Sequence, residues 1–388
     1  MSRNIKETLL STLVHGEETL NNIEVMRRVN NNKIYQGNRA SEIISKLHSE
    51  ELDLIVSEIN EVTKDAKSIR FVSANGYLPP FEAGQYINVF TNIQGVRTSR
   101  PYSISSSNLQ RGYYEITVAR IQTGFVSDYF LDEVKVGDCF KANGPSGVFR
   151  YNPVFHQKKS VYLAGGSGIT PFMSMIRSHT QLGDNHEMHL LYGVRSLDLA
   201  IYHQELLQIE KSYPNFHYHL VLSEPTKDYQ GATGFLNMEL ITKLIGNIND
   251  CTYYICGPQV MNDFCVKELE KANIPAKRIK REMFGSRQDI INEAGWPKEL
   301  TGEEVFKVKI GDQIIEAKAK DSLLTSLEKA GIRVNVCCRS GECSLCKVKL
   351  ISGNIFLSKG MMLRHADKKF GYVHSCKSYP ISDIEIIL

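Results

Sequence analysis

Four cysteines near the C-terminal end of this 388-residue sequence constrain its folding more than any other feature. Cys338, Cys343 and Cys346 stand in the spacing C-x4-C-x2-C within CCRSGECSLC, and Cys376 follows about thirty residues later. That is the spacing of a [2Fe–2S] cluster held by four thiolates. Such a site needs a tight loop whose amides face the sulfurs, and Gly341 with the small residues Ser340 and Ser344 permits one. A structural zinc site is the competing reading, although such sites usually repeat C-x2-C at both ends. Cys337 rivals Cys338 as first ligand, but it would lengthen the first interval to five residues, so the register favours Cys338. Nine cysteines, an odd number and unevenly placed, make a poor disulfide framework and suit a metal site in a reducing compartment.

Around this loop the chain is long enough for two or three domains. A formal net charge of +3 gives no pointer to nucleic acid. The opening residues MSRNIKETLL lack the unbroken apolar core of a secretory signal, and no apolar run approaches the ~20 residues of a membrane-spanning helix. A cytoplasmic protein is therefore expected. Residues 1–51 form a helical N-terminal extension, with amphipathic stretches over Glu7–Leu20 and Ser41–Leu52 joined by the polar run VNNNKIYQGN. Over 52–155 short β-rich segments separated by turns (LIVSEINEV, SIRFVS, QYINVF, YEITVAR) predict an antiparallel barrel or sandwich. Over 156–287 strands alternate with helices, which predicts a doubly wound parallel α/β sheet. Residues 288–303, with Gly295 and Pro297, are a linker, and 304–388 show strand, strand, helix, cysteine loop and closing strands.

Two glycine-bearing turns sit at strand ends in the α/β segment. In Gly165-Gly166-Ser167-Gly168-Ile169-Thr170-Pro171 the glycines let backbone approach a pyrophosphate at a helix N-terminus, with Thr170 as N-cap and Pro171 as first helical residue. A turn that serves packing alone is the competing reading. Cys256-Gly257-Pro258 follows the strand TYYI, with Met261 just inside the next helix; Cys256 alone would read as a small buried thiol.

Together these two turns resemble the nicotinamide domain of the ferredoxin–NADP reductase superfamily. Residues from about 305 to 388 resemble a plant-type ferredoxin domain of β-grasp fold, and the resemblance as a whole covers about 52–388. It implies an antiparallel β-barrel flavin domain, in which RPYSISSS matches the flavin motif R-x-Y-S. Arg100 would then neutralise a flavin phosphate, Tyr102 would lie along the ribityl chain and Ser103 would bond near the reactive N5. Gly124, Val126 and Ser127 of TGFVS would hold a second phosphate, and FAD is expected over FMN. Thr170 and Cys256 would flank the nicotinamide, which makes Ser103 and Cys256 the catalytic candidates. Phe284 would pack against the flavin or belong to the core. NADPH-preferring members often carry Ser-Arg after the third strand, where this chain has Ser223-Glu224-Pro225, so NADH is favoured, with Arg195 able to reach the adenosine. Ser344 stands where many members have Gly. The implied activity is an NADH-dependent reductase passing electrons through FAD and a [2Fe–2S] cluster to a partner redox protein. An electron-relay subunit with residues 1–50 as docking arm is the alternative. Residues 303–388 carry fourteen Lys and Arg against ten Asp and Glu. Arg339, Arg364, Lys368, Lys369 and Lys377 cluster near the ligands, so an acceptor acidic at its docking face is expected.

Overall fold

The computed structural model describes residues 8, 10–31, 44, 51–121, 124–283, 285 and 289–388. The chain divides into two compact units, Met1–Ser49 and Glu50–Leu388. In the first, helix α1 spans Gly16–Asn31, with Glu17 and Glu18 in its first turn and Arg28 in its last, where each suits the helix dipole. The sequence pattern places this helix earlier and a turn from Val29 onward. Tight turns closed by Leu13 N–H to the Leu10 carbonyl and Gly16 N–H to the Leu13 carbonyl interrupt the earlier stretch. The second expected stretch lies outside the described residues except for Ile44, Glu51 and Leu52, and Leu52 opens a strand.

The second unit begins with a six-stranded antiparallel sheet in the order β4-β3-β6-β1-β2-β5. Its strands are β1 (Leu52–Thr63), β2 (Ala66–Ser73), β3 (Tyr86–Ile93), β4 (Val96–Ser103), β5 (Tyr114–Ala119) and β6 (Cys139–Ser146). An Ile104–Ile116 bridge joins the two edges and closes the sheet into a barrel. Alternation drives closure, since Leu52, Leu54 and Val56 of β1 face one side and are buried. Helix α2 (Val126–Asp132) covers the open end, and Phe130 stacks on Phe140 at 5.2 Å.

Next comes an all-parallel sheet in the order β10-β9-β8-β7-β11-β12. It comprises β7 (Lys159–Gly165), β8 (Glu187–Val194), β9 (Phe216–Leu222), β10 (Ala232–Thr233), β11 (Cys251–Cys256) and β12 (Ile279–Glu282), with helices α3 (Thr170–Leu182), α4 (His203–Ser212), α5 (Met238–Ile245) and α6 (Gln259–Lys271). Every residue of β7 after Lys159 is buried, as a strand covered on both faces must be. Tyr162 and Ala164 point to the layer of Phe172, Ile176 and Leu206; Val161 and Leu163 point to that of Ile241, Ile245 and Leu269. The chain moves outward from β7 to β10 and then restarts on the other side at β11. The crevice beyond the carboxyl ends of β7 and β11 is thus a topological switch point, where open α/β sheets bind ligands.

The last part is a mixed sheet in the order β14-β13-β19-β15-β17, with α7 (Leu323–Lys329) packed on it. Its strands are β13 (Val305–Ile310), β14 (Gln313–Lys318), β15 (Lys347–Ser352), β17 (Tyr372–His374) and β19 (Ile384–Ile387), and β16 (Ile355–Leu357) pairs with β18 (Ser378–Pro380) at its side. The pairing of β13 with β19 is parallel and its other pairings are antiparallel, a β-grasp arrangement. Helix α8 (His365–Lys369) precedes β17. The segment expected to be a linker is docked here. Trp296 packs on Phe356 at 5.2 Å, and the Glu293 carboxylate accepts from Ser358 Oγ (2.8 Å) and Lys359 N–H (2.6 Å). Among the described residues no helix is long and apolar enough to cross a membrane.

The barrel and the parallel sheet are joined by buried charge. Glu115 on β5 accepts from Arg177 of α3 (2.6 Å), Arg70 (2.8 Å) and Ser105 Oγ (2.9 Å), while Arg177 also grips Glu205 through two bonds of 2.7 Å. Burial pushes the Glu115 carboxyl up, but Arg177, Arg70 and Ser105 pull harder and hold it below its ordinary value. Its stabilisation is therefore present above the ordinary Glu value of about 4.3 and is lost as pH falls through the lowered folded value. Breaking a buried pair by removing one partner costs roughly 3–5 kcal/mol. Glu115→Gln should lower the free energy of unfolding at pH 7 by an amount of that order and flatten the acid limb of the stability profile. Urea melts at pH 7 and pH 4 measure both effects.

Candidate functional site

The cysteine loop takes a course that only small or strained residues allow. Arg339, Gly341 and Ser344 have φ of +53°, +83° and +60°, in the left-handed region that favours glycine. Ser344 thus holds a backbone geometry that a glycine adopts freely. This path turns the amides of Ser340 and Cys343 onto Cys338 Sγ, each at 3.4 Å. Cys338 lies against Cys343, and Cys346 lies against Cys376, so the four sulfurs converge as two pairs. Hydrogen bonding from the Cys343 thiol and the two amides outweighs burial and favours the Cys338 thiolate. The Cys346 carbonyl accepts from both the amide and hydroxyl of Ser375 (2.9 Å each), which fixes Cys376. Cys337 turns away instead, with Sγ 3.6 Å from Tyr86 Oη and its thiol pushed up by burial. A four-sulfur set with inward amides fits a [2Fe–2S] cluster.

At the switch point, Gly166–Ile169 form a 3-10 turn and α3 begins directly at Thr170. Thr170 is therefore the first helical residue and Pro171 the second, with Ile169 at the N-cap position. The early turn shifts the expected cap by one residue, and Thr170 Oγ1 donates to the Ser167 carbonyl (2.8 Å) rather than accepting from the helix. Gly166 (φ +53°) has open space where a Cβ would project. Gly168 has none: a Cβ there would meet the Cys256 carbonyl oxygen at 2.2 Å. The two glycine turns are packed on one another, so both the packing reading and the ligand reading have a physical basis. Pro258 and Met261 sit against Gly165, and Gly257 lies beside its backbone. Burial, then the neighbouring Glu282, keep Cys256 a neutral thiol. Further along the same edge, Ser223 N–H bonds the Val194 carbonyl (3.0 Å) and Glu224 N–H the Arg195 carbonyl (2.8 Å). This places the exposed Arg195 and Glu224 side by side on adjacent loops.

On β4 the pleat sets Thr98, Arg100 and Tyr102 on one face and Ser99, Pro101 and Ser103 on the other. The Arg100 guanidinium donates to Thr98 Oγ1 (2.9 Å) and the Ser99 carbonyl (2.7 Å). Burial first, and the adjacent Arg339 second, push it down to about 10. Among the described residues no carboxylate pairs with it, and a desolvated cation in that state favours an anionic partner. A flavin phosphate fits that need. Tyr102 packs edge-on to Phe130 of α2 at 5.5 Å. Gly124 leaves room for Ser127 Oγ, and Val126 and Ser127 are buried in the first turn of α2. Phe284 and Thr123 lie outside the described residues.

The three domains meet around these groups. Asn88 Nδ2 donates to the Val336 carbonyl (3.1 Å), Thr98 Oγ1 to Glu328 (3.0 Å), and Arg339 bonds both Thr98 and Glu328. Arg339 and Lys377, expected on a solvent-facing basic surface, are thus buried at 4% and 2% exposure. Sequence charge does not distinguish an interface cation from a surface one. Sequence reasoning also assigned no role to Glu282. It stands level with Cys256 in the parallel register and is buried, with Oε2 unpartnered. Burial, then the nearby Glu342, push its carboxyl well up, at the strand end beside Cys256. The available signal was a carboxyl two residues before the aromatic Phe284.

A chain that joins a flavin barrel, a dinucleotide sheet and a four-cysteine β-grasp domain in one unit is a flavin- and iron–sulfur-dependent oxidoreductase. Its sequence matches an oxidoreductase FAD-binding domain over residues 53–151, an oxidoreductase NAD-binding domain over 162–267 and a 2Fe-2S iron-sulfur cluster binding domain over 307–380. The chain belongs to the ferredoxin–NADP reductase superfamily, among reductases with a C-terminal ferredoxin domain. It is 27% identical over 349 residues to the glycine betaine monooxygenase reductase subunit of Pseudomonas aeruginosa, covering 85% of this chain and 93% of that one. It is also 27% identical to NADH oxidoreductase HCR of Escherichia coli, covering 85% and 95%. Among solved structures, phthalate dioxygenase reductase superposes with a TM-score of 0.65 at 27% identity, covering 87% of this chain and 97% of that one.

Cys343 is the one partly exposed member of the four. Cys343→Ser should abolish the cluster's visible and paramagnetic signals yet leave flavin reduction by the nicotinamide dinucleotide intact in stopped-flow. Loss of flavin reduction in a folded variant would overturn the proposed order of electron transfer.

Proposed function

We propose that this chain takes electrons from NADH and delivers them, through FAD and a [2Fe–2S] cluster on Cys338, Cys343, Cys346 and Cys376, to an acceptor redox protein of the oxygenase or hybrid-reductase type. The observation that carries this reading is the docking of the cysteine loop on the flavin barrel. The Asn88–Val336 bond and the Tyr86–Cys337 contact hold the loop against β3. The partly exposed Cys343 and the exposed Leu345 leave its other side open to an acceptor. Bound flavin and cluster would supply the conversion of a two-electron donor into single-electron steps. The chain's own residues orient and insulate. Arg100 would neutralise a flavin phosphate, with Tyr102, Ser103, Gly124, Val126 and Ser127 completing the flavin contacts. Gly166, Gly168, Thr170 and Pro171 would seat the pyrophosphate. Cys256, Gly257, Pro258 and Met261 would flank the nicotinamide, Cys256 as a neutral thiol that packs without competing for charge. Relatives named as monooxygenase reductase subunits support the choice of acceptor. None of the nine cysteines is paired in a disulfide, which suits a reducing compartment such as the cytoplasm.

Cofactor preference rests on Glu224, which would repel a 2′-phosphate and accept from ribose hydroxyls, with Ser223 and Arg195 beside it. Glu224→Arg should improve NADPH use by one charge-assisted contact, roughly 1.5–3 kcal/mol in kcat/KM. A wild-type preference for NADPH in the same assay would overturn the assignment.

With Arg339 and Lys377 buried, the basic surface reduces to Arg364, Lys368 and Lys369 on and beside α8. An acceptor acidic at its docking face would meet it there. Lys368→Glu with Lys369→Glu should slow reduction of that acceptor at low salt without altering ferricyanide reduction by NADH. Indifference to both charge reversal and salt would reduce α8 to a solvated surface.

A further inference from the structure

Strands β8 and β9 carry a set of side chains that the redox site does not use. Glu187 and His189 alternate onto one face of β8, and the parallel register sets His189 beside His217, with His219 two residues further along the same face of β9. The rings of His189 and His217 are 4.5 Å apart, and His219 stacks at 5.9 Å from His189. One ligand atom from each of Glu187, His189 and His217 lies within 4.8 Å of the other two. Glu187 opens β8, whereas the dinucleotide crevice lies at the carboxyl ends of the strands, so the cluster stands roughly 17 Å down the sheet from that crevice.

We propose that Glu187, His189 and His217 bind one divalent transition-metal ion of the zinc class. The donor set of two imidazoles and a carboxylate is that of a zinc site with an open fourth position. Ion–ligand distances of ~2.0–2.2 Å require the ligand atoms to close in from their present spacing of up to 4.8 Å. His189 is 7% exposed and makes one ring bond, to Glu187 Oε1 at 2.9 Å. Its Nδ1 and the Nε2 of His219 are buried without a partner, a costly state that an ion or an ion-bound water relieves. Lys159 occupies the same Oε1 at 3.0 Å while donating to the Ile245 carbonyl, and the second carboxylate oxygen remains for the ion. Because β8 and β9 are neighbours in the sheet, an ion here ties them together at their amino ends.

The test uses the holoprotein, with flavin and cluster in place, equilibrated with zinc chloride and passed through a desalting column before metal analysis. One zinc per chain beyond the cluster iron is expected, with a higher thermal unfolding midpoint when zinc is present. His217→Ala and Glu187→Gln should each weaken zinc binding at least tenfold and leave ferricyanide reduction by NADH unchanged. His217→Cys should restore binding, since a thiolate replaces the imidazole. Absence of stoichiometric zinc in the wild type, or retention of it in both weakened variants through another site such as the exposed Cys139, would overturn the proposal.

Discussion

The Arg177–Glu115 pair is the interaction on which the geometry of the whole second unit depends. Each domain has its own apolar core, and separate cores alone would leave the domains free to drift. Glu115 is almost fully buried on β5, and Arg177 reaches it from the helix that starts at the dinucleotide turn. A buried carboxylate without its cation is strongly unfavourable, so this contact tolerates little displacement. It therefore fixes the start of α3, and with it Gly166 and Gly168, relative to the barrel that carries Arg100 and Tyr102. The serines that follow the R-x-Y-S segment reinforce the register, because the Ser106 carbonyl accepts from Ser174 Oγ at 2.8 Å and that of Ser105 from Arg177 at 2.9 Å.

A second charge network does the same work on the other side of β4. Thr98, Arg100, Arg339 and Glu328 form a compact set of two cations, one anion and a hydroxyl. The set carries one positive charge in excess, and that excess stands where the flavin phosphate would lie. The same strand thus orients the anionic end of one cofactor and the loop that would hold the other. Glu282 and Glu342 add two carboxyls that burial pushes up at the junction.

Much of this was legible because it is local. The C-x4-C-x2-C spacing, the glycine turns at strand ends and the shift from short strands to alternating strands and helices each involve residues close in sequence. They pointed to the three kinds of domain and named the candidate site residues within them. What could not be read was long-range. Nothing adjacent to Arg339 reveals that it points into an interface, or to Lys377 that it is buried, and Glu115 pairs with a residue 62 positions away. The displacement of the Thr170 cap follows from a 3-10 turn that the string GGSGI does not announce, and the true span of α1 from tight turns near His15. The histidines of β8 and β9 are unremarkable until strand pairing sets them side by side.

Residues 288–303 were expected to be a linker, yet Ile290, Trp296 and Leu300 pack with Phe356 and Tyr379 into a small core of their own. A segment held this way has no slack. An inserted or deleted residue there would be absorbed as a packing defect in the ferredoxin domain rather than as a change in reach. The segment is consequently part of the ferredoxin domain's own packing, and the surface around Cys343 and Leu345 is what an acceptor of the proposed kind would have to fit.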